Sequence, residues 1–188
     1  MKFKEIEFKY DADDISLQGF KDLVEPMNPV KTMLVSSYDD YYTDLSSNFI
    51  RYRHHDTHGE LTIKRKTTDK NNNERIEVNL PTTGNNIPAV TAFVDLLGYK
   101  PNFSIFKTCQ IYWVDRIVLV YYVVCDNELK ELRRFIEIEA DEDYAWDSEE
   151  AAWNHVEMYE KRLESLGITS RNRLRKSLFE MFKKDSPK

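Results

Sequence analysis

Residues 4–10 read Lys-Glu-Ile-Glu-Phe-Lys-Tyr, and the strict alternation in this stretch decides the fold class. In an extended chain, Glu5, Glu7 and Lys9 fall on one side, and the apolar or aromatic residues next to them fall on the other. A strand with one charged face and one apolar face is typical of an antiparallel sheet that covers a core with one side only. The stretch therefore predicts such a sheet, beginning at its first strand.

The same alternation recurs along the chain and predicts further strands of the same kind. In each of four segments the charged side chains share one face: Arg51 and Arg53 in 49–53, Lys64 and Lys66 in 61–66, Arg75 and Glu77 in 75–80, and Glu137 and Glu139 in 135–140. Two longer β segments extend the set: 103–113, which carries Lys107 and Cys109, and 118–126, which ends at Asp126.

Helical spacing of apolar residues predicts four helices, at 15–25, 87–97, 148–166 and 171–183. The expected N-caps are Ser148 for the third helix and Asp13 or Asp14 for the first. Residues 69–74 predict a hairpin turn, and 140–147 predict a solvated acidic loop. Together these elements indicate a single α+β domain over residues 1–188, built on an antiparallel sheet.

Composition narrows the class of protein and of partner. The chain has 188 residues with 33 acidic and 27 basic side chains, a net charge of −6. This charge is unfavourable for general attraction to duplex DNA or to an anionic membrane. The longest apolar run, residues 117–125, is about half the length of a membrane span. Two cysteines form no disulfide framework, so we expect a cytoplasmic protein that binds neither membrane nor duplex DNA.

The sum of the charged faces has two interpretations. For a single strand, the simpler one is a face in contact with water. Over all strands, however, the polar faces are almost wholly charged, with few of the neutral polar residues that a solvated face usually carries. If the sheet closes into a barrel with these faces inward, the charges line one cavity. Buried charges of this kind are costly unless a ligand balances them.

The residue types in that cavity indicate its ligands. Two Glu-x-Glu pairs, at 5–7 and 137–139, supply the hard oxygen ligands that Mg²⁺ or Mn²⁺ prefers. Lysine and arginine on the other strands suit a polyanion such as a chain of phosphates, because a guanidinium group can bind phosphate through two parallel hydrogen bonds. A metal and phosphates together indicate phosphoryl or nucleotidyl transfer.

These segments resemble a known family. Residues 5–9, Glu-Ile-Glu-Phe-Lys, resemble the E-x-E-x-K opening of the CYTH family, the triphosphate tunnel metalloenzymes. The remaining motifs follow in the family's order: 50–53 resembles L-R-x-R, 61–64 resembles l-T-x-K, 75–77 resembles R-x-E, 135–139 resembles F-x-E-x-E, and 166–168 and 176–178 resemble the C-terminal l-G-i and k-S-y. The resemblance runs from residue 5 to about residue 180.

The resemblance implies an antiparallel β-barrel, the triphosphate tunnel, with flanking α-helices. It implies Mg²⁺ or Mn²⁺ as the metal, bound by Glu5, Glu7, Glu77, Asp126, Glu137 and Glu139. It implies triphosphate contacts from Lys9, Arg51, Arg53, Lys64, Arg75 and Lys107. The residues it assigns to catalysis are Glu5, Glu7, Lys9, Glu137 and Glu139. Lys66 joins the phosphate contacts only because it shares the parity of Lys64.

Two departures from the family pattern affect the phosphate site. Where the family usually has K-x-R, this chain has Lys107-Thr108-Cys109, so one arginine is missing. The glycine-rich stretch usual before the second carboxylate pair is here the charged segment 127–134. We expect Arg173 and Lys176, on the last predicted helix, to close the tunnel mouth.

Three functions remain open. The first is a metal-dependent hydrolase of an inorganic, nucleoside or organic triphosphate. The second is a class IV-type adenylyl cyclase that makes cyclic AMP and pyrophosphate from ATP. The third is a non-catalytic binder of nucleotides or polyphosphate. In each case the expected partner is a small-molecule triphosphate, such as tripolyphosphate or ATP, and a homodimer is compatible with the sequence.

Overall fold

The computed structural model describes residues 4–44, 48–55, 58–66, 74–83 and 86–184, with the side chains of 4, 65, 66 and 74–76 outside that description. Within these described residues the nine strands are β1 (Lys4–Asp11), β2 (Lys31–Thr43), β3 (Phe49–His54), β4 (His58–Lys66), β5 (Glu74–Thr83), β6 (Lys100–Val114), β7 (Ile117–Cys125), β8 (Glu131–Ala140) and β9 (Arg173–Leu174). The four α-helices are α1 (Leu17–Val24), α2 (Ile87–Leu96), α3 (Glu149–Arg162) and α4 (Leu178–Phe182).

The strands form one antiparallel sheet in the order β5-β4-β3-β2-β6-β7-β8-β1-β9. The start of β1 also pairs with β5, with Glu5 opposite Arg75. This short ladder joins the two ends of the run from β5 to β1, so eight strands surround a central space and β9 lies beside β1. Register shifts in β2 and in β7 add the local bends that a curved sheet needs. The predicted α+β tunnel-like barrel with flanking helices is therefore confirmed.

The outer face of the barrel is apolar where helices cover it. Phe8, Leu119 and Ile138, from β1, β7 and β8, pack in one cluster with Phe20 of α1 and Val156 of α3. Burial of these large side chains stabilises the fold by roughly 1.5–3 kcal/mol each. Because period-two alternation places every second residue outside, the same packing directs Glu5, Glu7 and Lys9 inward.

Two further clusters complete the packing. On one side, α2 places Val94 against Ile50 and Tyr52 of β3. On another, Phe179 of α4 stacks on Phe49 of β3, with ring centroids 4.7 Å apart. Strand β3 is thus largely buried on both faces, which leaves Arg51 buried and Arg53 partly buried.

The helix predictions agree with the structure at α2 and α3 and need correction elsewhere. Ser148 caps α3 as predicted, accepting a hydrogen bond from the Ala151 amide. The N-cap of α1 is Ser16, and the prediction of Asp13 or Asp14 was wrong. Asp13 instead accepts a hydrogen bond from the Arg134 amide. No helix among the described residues is long and apolar enough to span a membrane. Most of the predicted hairpin turn at 69–74 lies outside the described residues.

The prediction of one helix over 171–183 was wrong. Only residues Leu178–Phe182 are α-helical; Ser170–Asn172 form a short 3-10 helix, and Arg173–Leu174 form β9, which pairs with β1. Arg173 lies outside the barrel, with its guanidinium carbon 3.5 Å from the centre of the Phe8 ring, and Lys176 is an exposed residue before α4. Neither residue lines the tunnel cavity, so their predicted role in closing the tunnel mouth was also wrong.

A buried polar network fastens the C-terminal segment to the barrel. Glu160 of α3 accepts hydrogen bonds from the Tyr10 hydroxyl at 2.6 Å and from Arg173 Nε at 2.7 Å and Nη2 at 2.6 Å. Burial opposes ionisation, but the hydrogen bonds from Arg173 and Tyr10 lower the pKa of Glu160.

We expect Glu160→Gln to reduce the free energy of unfolding by about 2 kcal/mol, because it leaves the Arg173 charge without its counter-ion. Because the pKa of Glu160 is lowered in the folded state, this carboxylate stabilises the fold at pH values above its unfolded-state pKa. The stabilisation is lost as pH falls through the folded-state pKa. Urea unfolding at neutral and acidic pH checks both points. An equal difference between variant and parent at every pH would contradict the assignment.

Candidate functional site

The inward faces of the strands line a central cavity of about 350 Å³. Its charged lining is contributed by strands from all round the barrel. The residues are Glu5, Glu7 and Lys9 of β1, Arg51 and Arg53 of β3, Glu60 and Lys64 of β4, Glu77 of β5, Lys107 of β6, Glu137 and Glu139 of β8, and Asp141, Glu142 and Asp143 after β8.

Burial decides between the two interpretations of the charged faces. Lys9 is 9% exposed, Arg51 8%, Lys107 5% and Glu137 8%. A solvated sheet face would leave such side chains largely in water. The charged faces therefore point into the barrel.

One group of charges joins β1, β3, β4 and β5. Lys64 Nζ lies 2.7 Å from Glu5 Oε1 and 2.5 Å from Glu77 Oε2, and Arg51 Nη2 lies 3.6 Å from Glu77 Oε1. Burial opposes ionisation of Glu77, but the charges of Lys64 and Arg51 lower its pKa to about 2. Glu77 is thus an ionised counter-ion for both Lys64 and Arg51.

A second group joins β1, β6, β7 and β8. Glu137 Oε1 accepts from the Tyr122 hydroxyl at 2.8 Å and lies 2.9 Å from Lys9 Nζ. The Lys107 ammonium lies over the Tyr122 ring, 4.0 Å from its centre. Burial opposes ionisation of Glu137, and the charges of Lys9 and Lys107 nevertheless lower its pKa. Glu137 therefore acts as the anionic partner of Lys9.

Arg53 has a partner that is fully buried. Its Nε and Nη2 donate to the two carboxylate oxygens of Asp39, at 2.7 and 2.9 Å. Asp39 is 0% exposed, and Arg53 still reaches the cavity lining. The paired hydrogen bonds fix the plane of the guanidinium group, which leaves its other edge available to the cavity.

Three carboxylates stand together at one side of the cavity. Glu5, Glu7 and Glu139 each present an oxygen, and these atoms all lie within 4.8 Å of one another. Burial raises the pKa of Glu5 to about 8, and repulsion from Glu7 adds to that effect. Burial and the charges of Glu137, Glu7 and Glu5 raise the pKa of Glu139 well above its usual range.

This carboxylate cluster fits a divalent cation. The donors are hard oxygens from two strands that pair directly, with Glu7 opposite Glu139. Their mutual repulsion is the kind of strain that a bound cation relieves. Nearby cations hold the pKa values of Glu77 and Glu137 low, whereas the pKa values of Glu5 and Glu139 are raised even though Lys64 also contacts Glu5. We therefore place the three clustered carboxylates, Glu5, Glu7 and Glu139, at the centre of any metal site.

The pKa of Glu5 gives a test of this cluster. Because this pKa is raised above the unfolded-state value, the contribution of Glu5 to the stability of the metal-free protein is lost as pH rises from about 5 to about 8. A bound cation requires the ionised carboxylates, so binding releases protons and becomes stronger as pH rises. We expect the increase in unfolding temperature caused by Mg²⁺ or Mn²⁺ to grow over this range. An increase that does not vary with pH would argue against binding at the cluster.

Other predicted site residues have different surroundings. Asp126 does not line the cavity; its Oδ1 accepts from the amides of Glu128 and Lys130 in the turn between β7 and β8. We therefore correct the expectation that Asp126 binds the metal. The structure does not describe the side chains of Arg75 and Lys66. Cys109 lines the cavity and is buried, where the family pattern would have an arginine.

The structure adds residues that charge patterning did not find. Tyr122 donates a hydrogen bond to Glu137, and Asp39 accepts one from Arg53. Asn79 lines the cavity together with Glu77. Tyr122 shares the parity of Val118 and Val120, which also line the cavity, so its inward direction was readable from the sequence. The acidic loop, predicted to be solvated, borders the cavity through residues 141–143, and it lines a neighbouring cavity of about 630 Å³.

Comparisons with known proteins agree with this architecture. Neither the protein-family models nor the curated proteins include a match. Among solved structures, a conserved hypothetical protein from Pyrococcus furiosus superposes with a TM-score of 0.72 at 20% identity, over 95% of this chain and 99% of that one. A "putative adenylate cyclase" from Vibrio parahaemolyticus superposes with a TM-score of 0.64 at 14% identity, over 96% and 97%.

A second protein named "putative adenylate cyclase", from Bacillus halodurans, gives a TM-score of 0.60 at 17% identity, over 97% of this chain and 99% of that one. Similarity at these identities establishes a shared fold. The fold expected from the resemblance to the CYTH family is thus confirmed along nearly the whole chain.

Proposed function

We propose that this protein binds a triphosphate inside the barrel and hydrolyses it with the help of a divalent metal ion. One observation carries the proposal: buried lysines and arginines from several strands line one cavity together with three clustered carboxylates. An interior of this composition is costly for folding, and a ligand that combines a polyanion with a cation would balance both kinds of charge. A triphosphate with Mg²⁺ or Mn²⁺ is such a ligand.

Each cation has a role in this proposal. Lys9, Arg51, Lys64 and Lys107 bind the phosphate oxygens and hold the chain in line for attack. Their fixed charges stabilise the negative charge that develops on the leaving phosphate, and burial strengthens that effect. Arg53, held by Asp39, supports the same chain. Arg75 belongs to the predicted set through its position in the sequence.

Glu5, Glu7 and Glu139 would hold the metal. When bound, a divalent ion neutralises charge on the phosphate oxygens and lowers the pKa of a coordinated water. In the structure, the Lys64 ammonium lies between the carboxylates of Glu5 and Glu77. Occupation of Glu5 by a cation would release the Lys64 ammonium toward the phosphates, which couples metal binding to phosphate binding.

The inner charges also suit the adenylyl cyclase reaction. Two solved structures with this fold are named "putative adenylate cyclase", which supports the cyclase as the second candidate. In that reaction the ribose hydroxyl of ATP attacks the α-phosphorus and pyrophosphate leaves. We place hydrolysis first because it requires no second organic group in the site, only a water beside the bound phosphates.

Phosphorus-31 NMR of the purified protein with Mg²⁺ or Mn²⁺ separates the candidates. With tripolyphosphate or ATP offered in turn, new orthophosphate supports the hydrolase. Cyclic AMP and pyrophosphate formed from ATP would show that the protein is a cyclase and not a hydrolase. Broadened substrate resonances without product would indicate a binder, and unchanged spectra with both compounds would contradict the proposed function.

A further inference from the structure

The Tyr122 side chain joins the two halves of the cation set, although it carries no charge. It is 0% exposed and belongs to β7, on the same face as Val118 and Val120, which line the cavity. Its hydroxyl donates to Glu137 Oε1 at 2.8 Å, and the face of its ring supports the Lys107 ammonium at 4.0 Å. One side chain thus contacts both an anion and a cation of the site.

Glu137 connects Tyr122 to a second lysine, Lys9. Lys9 Nζ lies 2.9 Å from the same oxygen, Glu137 Oε1, that accepts from the Tyr122 hydroxyl. A carboxylate oxygen has two lone pairs, so Tyr122 and Lys9 fill it together. Phe135, also 0% exposed, packs against the Tyr122 ring with centroids 5.2 Å apart, which limits movement of the tyrosine.

We propose that Tyr122 is a positioning residue for anion binding: its hydroxyl fixes Glu137, which holds Lys9, and its ring fixes Lys107, so that both ammonium groups face the cavity. The inference rests on the proposed function only in taking a phosphate chain as the anion. Without the hydroxyl, the buried Glu137 oxygen loses one of its two partners. It then draws the nearby ammonium groups toward itself and away from the ligand.

The chain offers a matched control in the adjacent residue. Tyr121 is 3% exposed, and its hydroxyl donates to the Ile15 carbonyl at 2.8 Å, on the outer face of the barrel. Tyr121→Phe and Tyr122→Phe each keep the aromatic ring of a buried tyrosine and remove its hydrogen-bonding hydroxyl group. Their effects on the unfolding temperature should therefore be similar, whereas their effects on the cavity should differ.

The experiment is calorimetric titration with sodium tripolyphosphate in EDTA, so that binding is read without metal or turnover. We expect Tyr122→Phe to raise the dissociation constant about tenfold or more, the size typical of a lost hydrogen bond to a charged group. Tyr121→Phe should stay within about twofold of the parent protein. Equal dissociation constants for the two variants would overturn the positioning role.

A double-mutant cycle with Glu137→Gln tests the route through Glu137. If Tyr122 acts through this carboxylate, Tyr122→Phe adds little to Glu137→Gln, and fully additive effects would overturn that route. The control for the wider proposal is the parent protein. If it binds no tripolyphosphate with or without Mg²⁺, the proposed function fails and the role of Tyr122 fails with it. If it binds and the two variants agree, only the role of Tyr122 fails.

Discussion

Replacement of Glu139 by glutamine is expected to stabilise the metal-free protein and to abolish its response to divalent metal. Glu139 lies opposite Glu7 on the paired strands β8 and β1, and its carboxylate belongs to the cluster with Glu5 and Glu7. Burial and three neighbouring carboxylates raise its pKa well above the usual range. A neutral glutamine removes the cost of burying this carboxyl as an ion or of protonating it on folding, so the unfolding temperature without metal should rise.

The same change removes a metal ligand. We expect Mg²⁺ or Mn²⁺ to stop raising the unfolding temperature, and metal-dependent phosphate release to fall by about two orders of magnitude or more, since electrostatic stabilisation of the transferring group is lost. Glu157→Gln is the matched control, because Glu157 is half exposed on α3 and lies 3.7 Å from Arg173 outside the barrel. A Glu139→Gln protein that keeps full metal response would show that the metal binds elsewhere.

Replacement of Lys64 by alanine is expected to have the second large effect. Its ammonium bridges Glu5 of β1 and Glu77 of β5, and burial makes this charge difficult to replace by solvent. We expect KM for tripolyphosphate to rise by about tenfold or more, as befits a lost charge-assisted contact. Stabilisation of the fold by tripolyphosphate should shrink in parallel, because ligand stabilisation depends on affinity.

The control for Lys64 is Lys161→Ala, which removes an exposed lysine near the end of α3. Steady-state kinetics and thermal unfolding with and without tripolyphosphate supply the readouts. If Lys64→Ala alters neither KM nor the stabilisation by tripolyphosphate, the inward charges do not bind the phosphate chain.

The sequence was sufficient for the barrel because alternation of period two is a local property. Each strand shows its own charged and apolar faces, and the apolar faces must be buried together. The C-terminal segment lacked such a guide. The spacing of Leu174, Leu178 and Phe182 suits a helix, but Arg173–Leu174 pair with β1 instead. That pairing, and the bonds of Arg173 to Glu160, depend on tertiary contacts that no local pattern encodes.

The candidate site could be predicted as a set of charges but not as a set of partners. Lys64 contacts Glu5, which lies 59 positions away in the sequence, and Lys9 of β1 contacts Glu137 of the neighbouring strand β8. Strand register decides these pairs, and it follows from the closure of the barrel. Asp39 was missed because it stands beside Asp40, so no alternation of charge marks it as inward.

A crystal structure of the protein with Mn²⁺ and tripolyphosphate tests the central claim most directly. Anomalous scattering locates manganese independently of the phosphates. We expect an anomalous peak among the carboxylates of Glu5, Glu7 and Glu139, with the phosphate chain in contact with Lys9, Arg51, Lys64 and Lys107. Manganese and tripolyphosphate bound only outside the barrel, with the ion pair between Lys64 and Glu5 intact, would contradict it.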